Sequence, residues 1–268
     1  MRAATPVDRV AIVTGAARGI GAATVRELAG RGYGVVALDW CAGDSHSELP
    51  YPQAAPADLD GLADAFGDRV ASITADVRDP DALAEAVDLA LTKWGRVDAA
   101  VAAAAVILGG APAWHTDREK LRLLWQIDVE GVWHTAGATI PAMLAGPDPA
   151  GCRFVAVASA AASHGLFHLT AYNTVKHAVA GMIKGLAADL TGTGVTASAV
   201  SPGSTRTAML EATAALYGLS DVEEFAGSQR IRRLLQPEEI AATIAFCCSR
   251  DGSVVNGSII EASGGFIG

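Results

Sequence analysis

Short runs of strand-forming residues alternate with longer segments of helical periodicity along the whole chain. "RVAIVT" precedes "ATVRELAGRG", and "GVVALD" is followed, after an interruption, by "ADLDGLADAFG". This rhythm is typical of βαβ units, in which connecting helices bury a parallel sheet on both faces. Seven strands can be counted, the last in "GSIIEA". The sequence therefore predicts an α/β fold with one doubly wound, seven-stranded parallel sheet and helices on both faces.

Two segments interrupt the rhythm without dividing the chain. At 268 residues, the chain suits one large α/β core, and we expect a single domain over residues 1–268. The first interruption, an insertion at residues 41–59, follows the second strand and contains three prolines. The second, residues 207–235, lies between the sixth strand and the last helix, where α/β folds often carry a substrate lid.

Charge and hydropathy exclude several classes of partner. The net charge is −9 and the pI is near 5.1, so no basic face for nucleic acid is expected. The longest apolar run, residues 99–108, has ten residues, which predicts a buried strand rather than a membrane span. Charged residues precede the first apolar run, which argues against a signal peptide and favours a cytoplasmic protein. The four cysteines have no metal-ligand spacing, so we expect structural thiols and no metal site.

A glycine-rich turn follows the first strand and opens a helix. In "TGAARGIG", Gly15, Gly19 and Gly21 would let the backbone approach a pyrophosphate at the positive end of the helix. Such a turn alone is weak evidence, but the second strand ends in Asp39, where a carboxylate can bind an adenosine ribose. Together they predict dinucleotide binding. Further cofactor-site candidates are Arg18, Ile20, Trp40, Asp76, Val77 and Ala103.

A tyrosine and a lysine are spaced by one helical turn. Tyr172 and Lys176 are four residues apart, so the ammonium would act on the phenol across a short distance. The same spacing also fits an amphipathic helix whose lysine stem packs on apolar surface. The positive charge predicts a phenol that can serve as acid or base.

The glycine turn, the Tyr172–Lys176 pair and Ser159, thirteen residues before the tyrosine, together resemble the short-chain dehydrogenase/reductase family. The resemblance covers nearly the whole chain and implies a Rossmann fold and a homotetramer. It also implies that Tyr172 is the general acid/base, that Ser159 binds the substrate oxygen, and that Lys176 holds the nicotinamide ribose. Tyr172 and Lys176 thus count among the cofactor-binding residues. The segment "SPGSTRT" is similar to the family's segment beside the nicotinamide, with matching residues Pro202, Gly203, Thr205 and Thr207.

The chain departs from the family pattern in two places. The family's Asn-Asn-Ala-Gly becomes the alanine run 102–105, which lacks the side-chain hydrogen bonds that steady the sheet there. The usual active-site asparagine becomes Asp128. We include Asp128 among the catalytic candidates, either in the proton relay or as a partner of Lys176.

The insertion resembles the Tyr-Pro-rich segment of mycofactocin-associated members of the family. That resemblance implies a tightly held cofactor and electron transfer to an external, mycofactocin-like redox carrier. Because the insertion begins directly after Asp39 and Trp40, we expect it to cover the adenosine end, with Trp40 packing on the base.

The leading hypothesis is an NAD-dependent oxidoreductase that interconverts a hydrophobic secondary alcohol and its ketone. Asp39 would repel a 2′-phosphate, which favours NAD over NADP. One alternative is an NADPH-dependent 3-oxoacyl thioester reductase, in which Arg18 binds that phosphate. The other is a non-catalytic dinucleotide sensor or scaffold. The apolar pocket is predicted from loop and lid residues Leu166, Phe167, Leu169, Met209, Leu210, Leu216, Tyr217 and Phe225.

Overall fold

The computed structural model describes residues 7–43 and 49–268 and contains the predicted parallel sheet. Its seven strands have the order β3-β2-β1-β4-β5-β6-β7, and every neighbouring pair is parallel. The strands are β1 Val10–Thr14, β2 Gly34–Asp39, β3 Val70–Thr74, β4 Ala99–Ala102, β5 Arg153–Val157, β6 Thr196–Pro202 and β7 Ile259–Ala262. The predicted fold class, a single-domain α/β Rossmann fold, is confirmed.

Alternating side chains of the strands build a separate core on each face of the sheet. In β1, Val10 and Ile12 belong to one core, whereas Ala11 and Val13 belong to the other. All four are fully buried, as expected for a strand covered on both sides. The apolar runs of the sequence are therefore explained by burial of both faces.

The described residues contain eight α-helices, six of which cover the sheet. Buried residues of α1, α2 and α8 pack in one core, and those of α3, α5 and α6 pack in the other. The helices are α1 Gly19–Gly30, α2 Pro56–Phe66, α3 Pro80–Trp94, α4 Arg118–Leu124, α5 Gly131–Ala145, α6 Thr170–Asp189, α7 Ala208–Tyr217 and α8 Pro237–Cys248. Among these, no helix has the length and hydropathy needed to cross a bilayer.

The strand order reverses between β1 and β4, which are neighbours in the sheet although two strands separate them in sequence. The connections leave these strands in opposite directions, so a crevice opens at their carboxyl ends. The glycine turn after β1 and the alanine run after β4 meet in this crevice.

Two local features differ from the expected pattern. The apolar run 99–108 forms a strand only over Ala99–Ala102, and the remainder is irregular. The strand ends where its neighbour β1 ends, because Ala102 pairs with Thr14. Between α4 and α5, residues Trp125–Glu130 form a π-helical turn, a rare element that is frequent at functional sites.

Candidate active site

A cleft of about 620 Å³ lies along the carboxyl ends of the strands. Three of the four predicted catalytic residues, Ser159, Tyr172 and Lys176, line this cleft. The other predicted cofactor-binding residues that line the cleft are Gly15, Arg18, Gly19, Ile20, Gly21, Asp39, Trp40, Asp76, Val77, Ala103, Pro202, Gly203, Thr205 and Thr207. Asp128 is described but does not line the cleft. The structure thus brings together all the predicted site residues except Asp128, which lies behind Lys176.

The glycine turn packs closely against neighbouring main chain at the start of α1. Gly15 has φ of +65°, and a Cβ there would lie 2.7 Å from the Ala104 Cα. A Cβ on Gly21 would overlap the carbonyl oxygen of Gly15. Within the described residues, no side chain caps the N-terminus of α1. Free N–H groups beside a glycine backbone fit the pyrophosphate of a dinucleotide.

The carboxylate of Asp39 is fixed at the end of β2. One oxygen accepts a hydrogen bond from the Ala17 amide, and the other accepts one from the Cys41 amide, both at 3.0 Å. Each carboxylate oxygen has a second lone pair, so Asp39 can still accept hydrogen bonds from ribose hydroxyls. The structure therefore places a fixed negative charge at the predicted adenosine end.

Arg18 is engaged by the insertion. Its guanidinium donates to the carbonyl oxygen of Pro52 at 2.8 Å and to Gln53 Oε1 at 3.2 Å. The sequence had suggested a phosphate partner for this arginine. In the structure, its hydrogen bonds instead hold the insertion against the glycine turn.

Trp40, at the adenosine end, already has a cationic neighbour. The Arg78 guanidinium lies 4.6 Å from the centroid of the Trp40 ring, and it forms an ion pair with Asp76 at 2.6 Å. Trp40 was predicted to pack on the adenine base. Its stacking on Arg78 shows that the indole also serves as a cation–π partner.

A buried hydroxyl replaces the missing asparagine side chains near the alanine run. Thr14 Oγ1 accepts hydrogen bonds from the amides of Ala103 and Ala104, at 3.1 and 3.2 Å. Thr14 is 1% exposed, so these bonds tie the end of β1 to the chain leaving β4. The stabilising bonds expected to be absent are therefore supplied by another strand.

Two further amides of this loop, those of Val106 and Ile107, also bind side chains from distant segments. Asp128 Oδ1 accepts from the Val106 amide at 2.9 Å, and the Tyr51 hydroxyl accepts from the Ile107 amide at 2.9 Å. Buried amides need such partners, because an unpaired N–H costs about 1–3 kcal/mol. The loop 103–107 is thus held through its backbone by three polar side chains from elsewhere.

The first turns of α6 place the catalytic pair in the cleft. Tyr172 and Lys176 lie on one face of the helix, with Lys176 Nζ 5.5 Å from the centroid of the Tyr172 ring. Ser159 begins a short 3₁₀ turn after β5, and its Oγ accepts from the Ala161 amide at 3.1 Å. All three hydroxyl or ammonium groups come from rigid elements, as a positioned acid/base site requires.

Behind this pair lies a buried ion pair. Asp128 is 0% exposed and Lys176 is 2% exposed, and Oδ2 of the aspartate lies 3.2 Å from Nζ of the lysine. Burial raises the pKa of Asp128, against the attraction of the ammonium. Burial, the largest single effect, opposes the charge on Lys176 as well, but Asp128 and Tyr172 together outweigh it and raise the pKa of the lysine. The second of the two roles considered for Asp128, pairing with Lys176, is the one seen in the structure.

The environment of Tyr172 differs from the sequence expectation. Burial raises the pKa of Tyr172, and Asp128 adds to this effect, whereas Lys176 and a hydrogen bond with Ser159 lower it. The sequence predicts that the charge of Lys176, together with that of an oxidised nicotinamide, favours the phenolate. In the structure, burial and the carboxylate together favour the neutral phenol.

Comparison with known proteins agrees with this geometry. A family profile described as enoyl-(acyl carrier protein) reductase matches residues 15–267. The chain is 34% identical over 260 residues to cis-4-hydroxycyclohexanecarboxylate dehydrogenase of Sinomonas cyclohexanicum, which covers 97% of this chain and 96% of that protein. The chain belongs to the short-chain dehydrogenase/reductase family. It is an enzyme of the oxidoreductase class, so the sensor or scaffold alternative is set aside.

Solved structures of this family have the same fold. Carveol dehydrogenase from Mycobacterium avium in complex with NAD has a TM-score of 0.89 and 27% identity, over 97% of both chains. The 3-ketoacyl-(acyl-carrier-protein) reductase from Brucella melitensis, complexed with NADH, has a TM-score of 0.82 and 27% identity, covering 97% of this chain and 98% of that one. Short-chain dehydrogenases use nicotinamide cofactors, and the cleft of this member offers the matching residues.

The part of the cleft that is predicted to bind the substrate carries mainly apolar side chains. Seven of the eight predicted pocket residues line the cleft; Leu216 instead packs near Gly110. The Tyr217 hydroxyl donates to the carbonyl oxygen of Phe167 at 2.6 Å, joining α7 to the loop before α6. Among the described residues lining the cleft, the cationic side chains are Arg18 and Lys176, and both have partners.

Tyr51 is a site residue that sequence reasoning missed. It comes from the insertion, lines the cleft, and reaches the Ile107 amide beyond β4. Burial raises the pKa of Tyr51 to about 12, so its hydroxyl stays protonated. The sequence shows only that Tyr51 is an aromatic residue in a proline-rich insertion, and this does not indicate which residue its hydroxyl will contact.

The insertion therefore extends further than predicted. Gly43 and the segment near Ala54 close its base through hydrogen bonds of 2.9 and 3.2 Å, while residues 44–48 lie outside the described part of the chain. From the adenosine end, its described residues reach Arg18 at the glycine turn and, through Tyr51, the catalytic end. It crosses the cleft rather than covering the adenosine end alone.

Proposed function

We propose that this protein is an NAD-dependent oxidoreductase that interconverts a hydrophobic secondary alcohol and its ketone. The observation that carries the proposal is that Ser159, Tyr172 and Lys176 line the same cleft. The glycine turn predicted to bind a dinucleotide forms one wall of this cleft, and apolar side chains form another. The cofactor, when bound, supplies the hydride acceptor or donor. The relatives, a hydroxycyclohexanecarboxylate dehydrogenase and a carveol dehydrogenase, support an alicyclic alcohol as substrate.

The chain's own residues divide the remaining work. Ser159 Oγ binds the substrate oxygen, and the Tyr172 hydroxyl takes the alcohol proton during oxidation or returns it during ketone reduction. Lys176 holds the nicotinamide ribose and keeps a positive charge near the phenol. The glycine turn binds the pyrophosphate, while Asp39 binds the adenosine ribose. Positioning by rigid strands and helices then supplies much of the rate.

We predict that the pocket discriminates against a carboxylate on the substrate. The cations of the described lining already have partners, so a buried carboxylate would remain unpaired at a cost of several kcal/mol. With NAD and an artificial electron acceptor present, kcat/KM for 4-methylcyclohexanol should exceed that for cis-4-hydroxycyclohexanecarboxylate by at least about tenfold. The two alcohols share a ring and a hydroxyl. A preference for the acid, or turnover only of small polar alcohols, would contradict the apolar site.

We further propose that the insertion holds NAD(H) in the cleft between turnovers, so that electrons pass between the bound cofactor and an external, mycofactocin-like redox carrier. Two anchors support this role: Arg18 at the glycine turn and Tyr51 at the Ile107 amide. A segment fixed at both ends covers a ligand more permanently than a loop with one attachment. Slow release follows, because affinity differences between related complexes lie mostly in the dissociation rate.

Tyr51→Phe should increase the rate of cofactor release by about tenfold. The change removes one hydroxyl and leaves the buried Ile107 amide without its partner, which costs about 1–3 kcal/mol in the closed form. The measurement is the exchange of bound NAD against isotopically labelled NAD after gel filtration. Tyr217→Phe is the matched control, since its hydroxyl donates to the Phe167 carbonyl and not to a described residue of the insertion. A wild-type preparation that emerges empty and turns over rapidly on added NAD alone would refute retention.

The homotetramer and the cytoplasmic location stay predictions from the family resemblance and from the N-terminal sequence. Neither is needed for the chemistry proposed for the cleft.

A further inference from the structure

Asp128 occupies an unusual position for a carboxylate. It is fully buried in the π-helical turn and does not line the cleft, so it touches neither substrate nor cofactor space. Its Oδ1 is fixed by the Val106 amide, which aims Oδ2 at Lys176 Nζ, 3.2 Å away. Lys176 also donates to the carbonyl oxygen of Val157 at 3.4 Å. The hydrogen bond to the Val106 amide therefore holds the carboxylate in place beside the lysine ammonium.

Counting charges around Tyr172 shows what this carboxylate changes. Four polar side chains influence the phenol: Lys176 from its own helix, Asp128 from the π-helical turn, Ser159 from the loop after β5, and Tyr51 from the insertion. Ser159 and Tyr51 are neutral, so the buried group has one positive and one negative charge while the phenol is protonated. Forming the phenolate gives this buried group a net negative charge. With a neutral amide at position 128, as is usual in the family, phenolate formation would instead complete a neutral ion pair with Lys176.

We propose that Asp128 is a positioning residue that acts as the counter-ion of Lys176, withholding the lysine's charge from Tyr172 and keeping the phenol protonated. The consequence is a site set for ketone reduction, because a protonated phenol is ready to donate when a ketone accepts hydride. Alcohol oxidation needs the phenolate and is confined to more alkaline solution. This direction of reaction rests on the proposed function, whereas the protonation of Tyr172 does not.

The decisive experiment is a spectrophotometric titration of Tyr172. The ultraviolet tyrosinate band of each protein is followed with pH, and the curve of the corresponding Tyr172→Phe variant is subtracted. We expect Tyr172 of the wild type to ionise above the ordinary tyrosine value of about 10, and Asp128→Asn to lower this midpoint by at least about one pH unit. One unit is a tenfold increase in the ratio of phenolate to phenol at a given pH. An unchanged or raised midpoint in Asp128→Asn would overturn the proposal.

A matched control removes another buried carboxylate that is paired with a cation. Asp98 is 1% exposed and pairs with Arg96 at 2.6 Å. It directly precedes β4, so it lies at the amino ends of the strands, whereas the cleft lies at their carboxyl ends. Asp98→Asn should leave the titration of Tyr172 unchanged. Should Asp128→Asn not fold, the wild-type titration still decides, because a Tyr172 midpoint below about 9 would by itself refute the counter-ion role.

Kinetics separate this inference from the proposed function. In Asp128→Asn, the acid limb of the pH profile for alcohol oxidation should move to lower pH by the same amount as the titration midpoint. If no alcohol or ketone were turned over, the proposed function would fail while the titration still tested the counter-ion. A loss of activity in Asp128→Asn at every pH, without movement of the Tyr172 midpoint, would instead indicate a merely structural role.

Discussion

Tyr172→Phe is expected to lower kcat for alcohol oxidation by about a thousandfold, a far larger effect than any weakening of NAD binding. The substitution removes only the hydroxyl that we propose takes the alcohol proton, and general acid/base groups contribute about 10²–10⁴-fold. The ring is 6% exposed, so its packing in the wall of the cleft is retained. Single-turnover measurement of hydride transfer, with bound cofactor quantified separately, tests this expectation.

Tyr33→Phe provides the comparison for this prediction. Tyr33 is also a buried tyrosine, but its hydroxyl donates to the carbonyl oxygen of Cys248, away from the cleft. Loss of that hydroxyl should alter stability without changing kcat. If Tyr172→Phe retained activity within tenfold of the wild type, another group would have to move the proton.

NADP is expected to bind at least about a hundredfold more weakly than NAD. A 2′-phosphate would lie beside the fixed carboxylate of Asp39, and like charges about 4 Å apart repel by roughly 4 kcal/mol at the effective dielectric constant of a protein surface. Arg18, the cation considered for the NADPH alternative, is bound to Pro52 and Gln53. Calorimetric titration of the cofactor-free protein with each dinucleotide measures the difference.

Asp39→Asn should reduce this discrimination, because it removes the negative charge and keeps an acceptor for the ribose. Asp64→Asn is the control: it removes the same charge from the exposed face of α2 and should not alter the ratio. Tighter binding of NADP than of NAD by the wild type would reverse the cofactor assignment and favour the thioester reductase alternative.

Local patterns explain which parts of the site could be predicted from sequence. The glycine turn, Asp39 at the end of β2 and the Tyr172–Lys176 spacing each depend on residues within one strand–turn–helix unit or one helical turn. The alternation of strands and helices likewise predicted the parallel sheet, because a strand that is buried on both faces appears in the sequence as a continuous apolar run. These features need no knowledge of distant contacts.

Long-range contacts between side chains and backbone could not be predicted in the same way. Nothing in the apolar run 99–108 shows that its strand ends at Ala102, because that end depends on the partner strand β1. Nor does the composition of the insertion reveal that Tyr51 reaches a backbone amide beyond β4. Trp40 was predicted to stack on a base, but the position of Arg78 over its ring became visible only once β2 and the loop after β3 were brought together.

The loop 103–107 has a consequence for how this enzyme can change. Its amides at 103, 104, 106 and 107 are held by Thr14, Asp128 and Tyr51, so residues outside the loop specify much of the path of its backbone. Val106 and Ile107 add burial in the core, while the short side chains of the alanines contribute little to holding that path. A segment whose backbone is held in this way can accept new side chains without changing its backbone conformation, provided that each bonded amide keeps its hydrogen bond. The floor of the cleft is thus open to redesign for other substrates at the alanine positions, and proline is the residue that it cannot accept at a bonded amide.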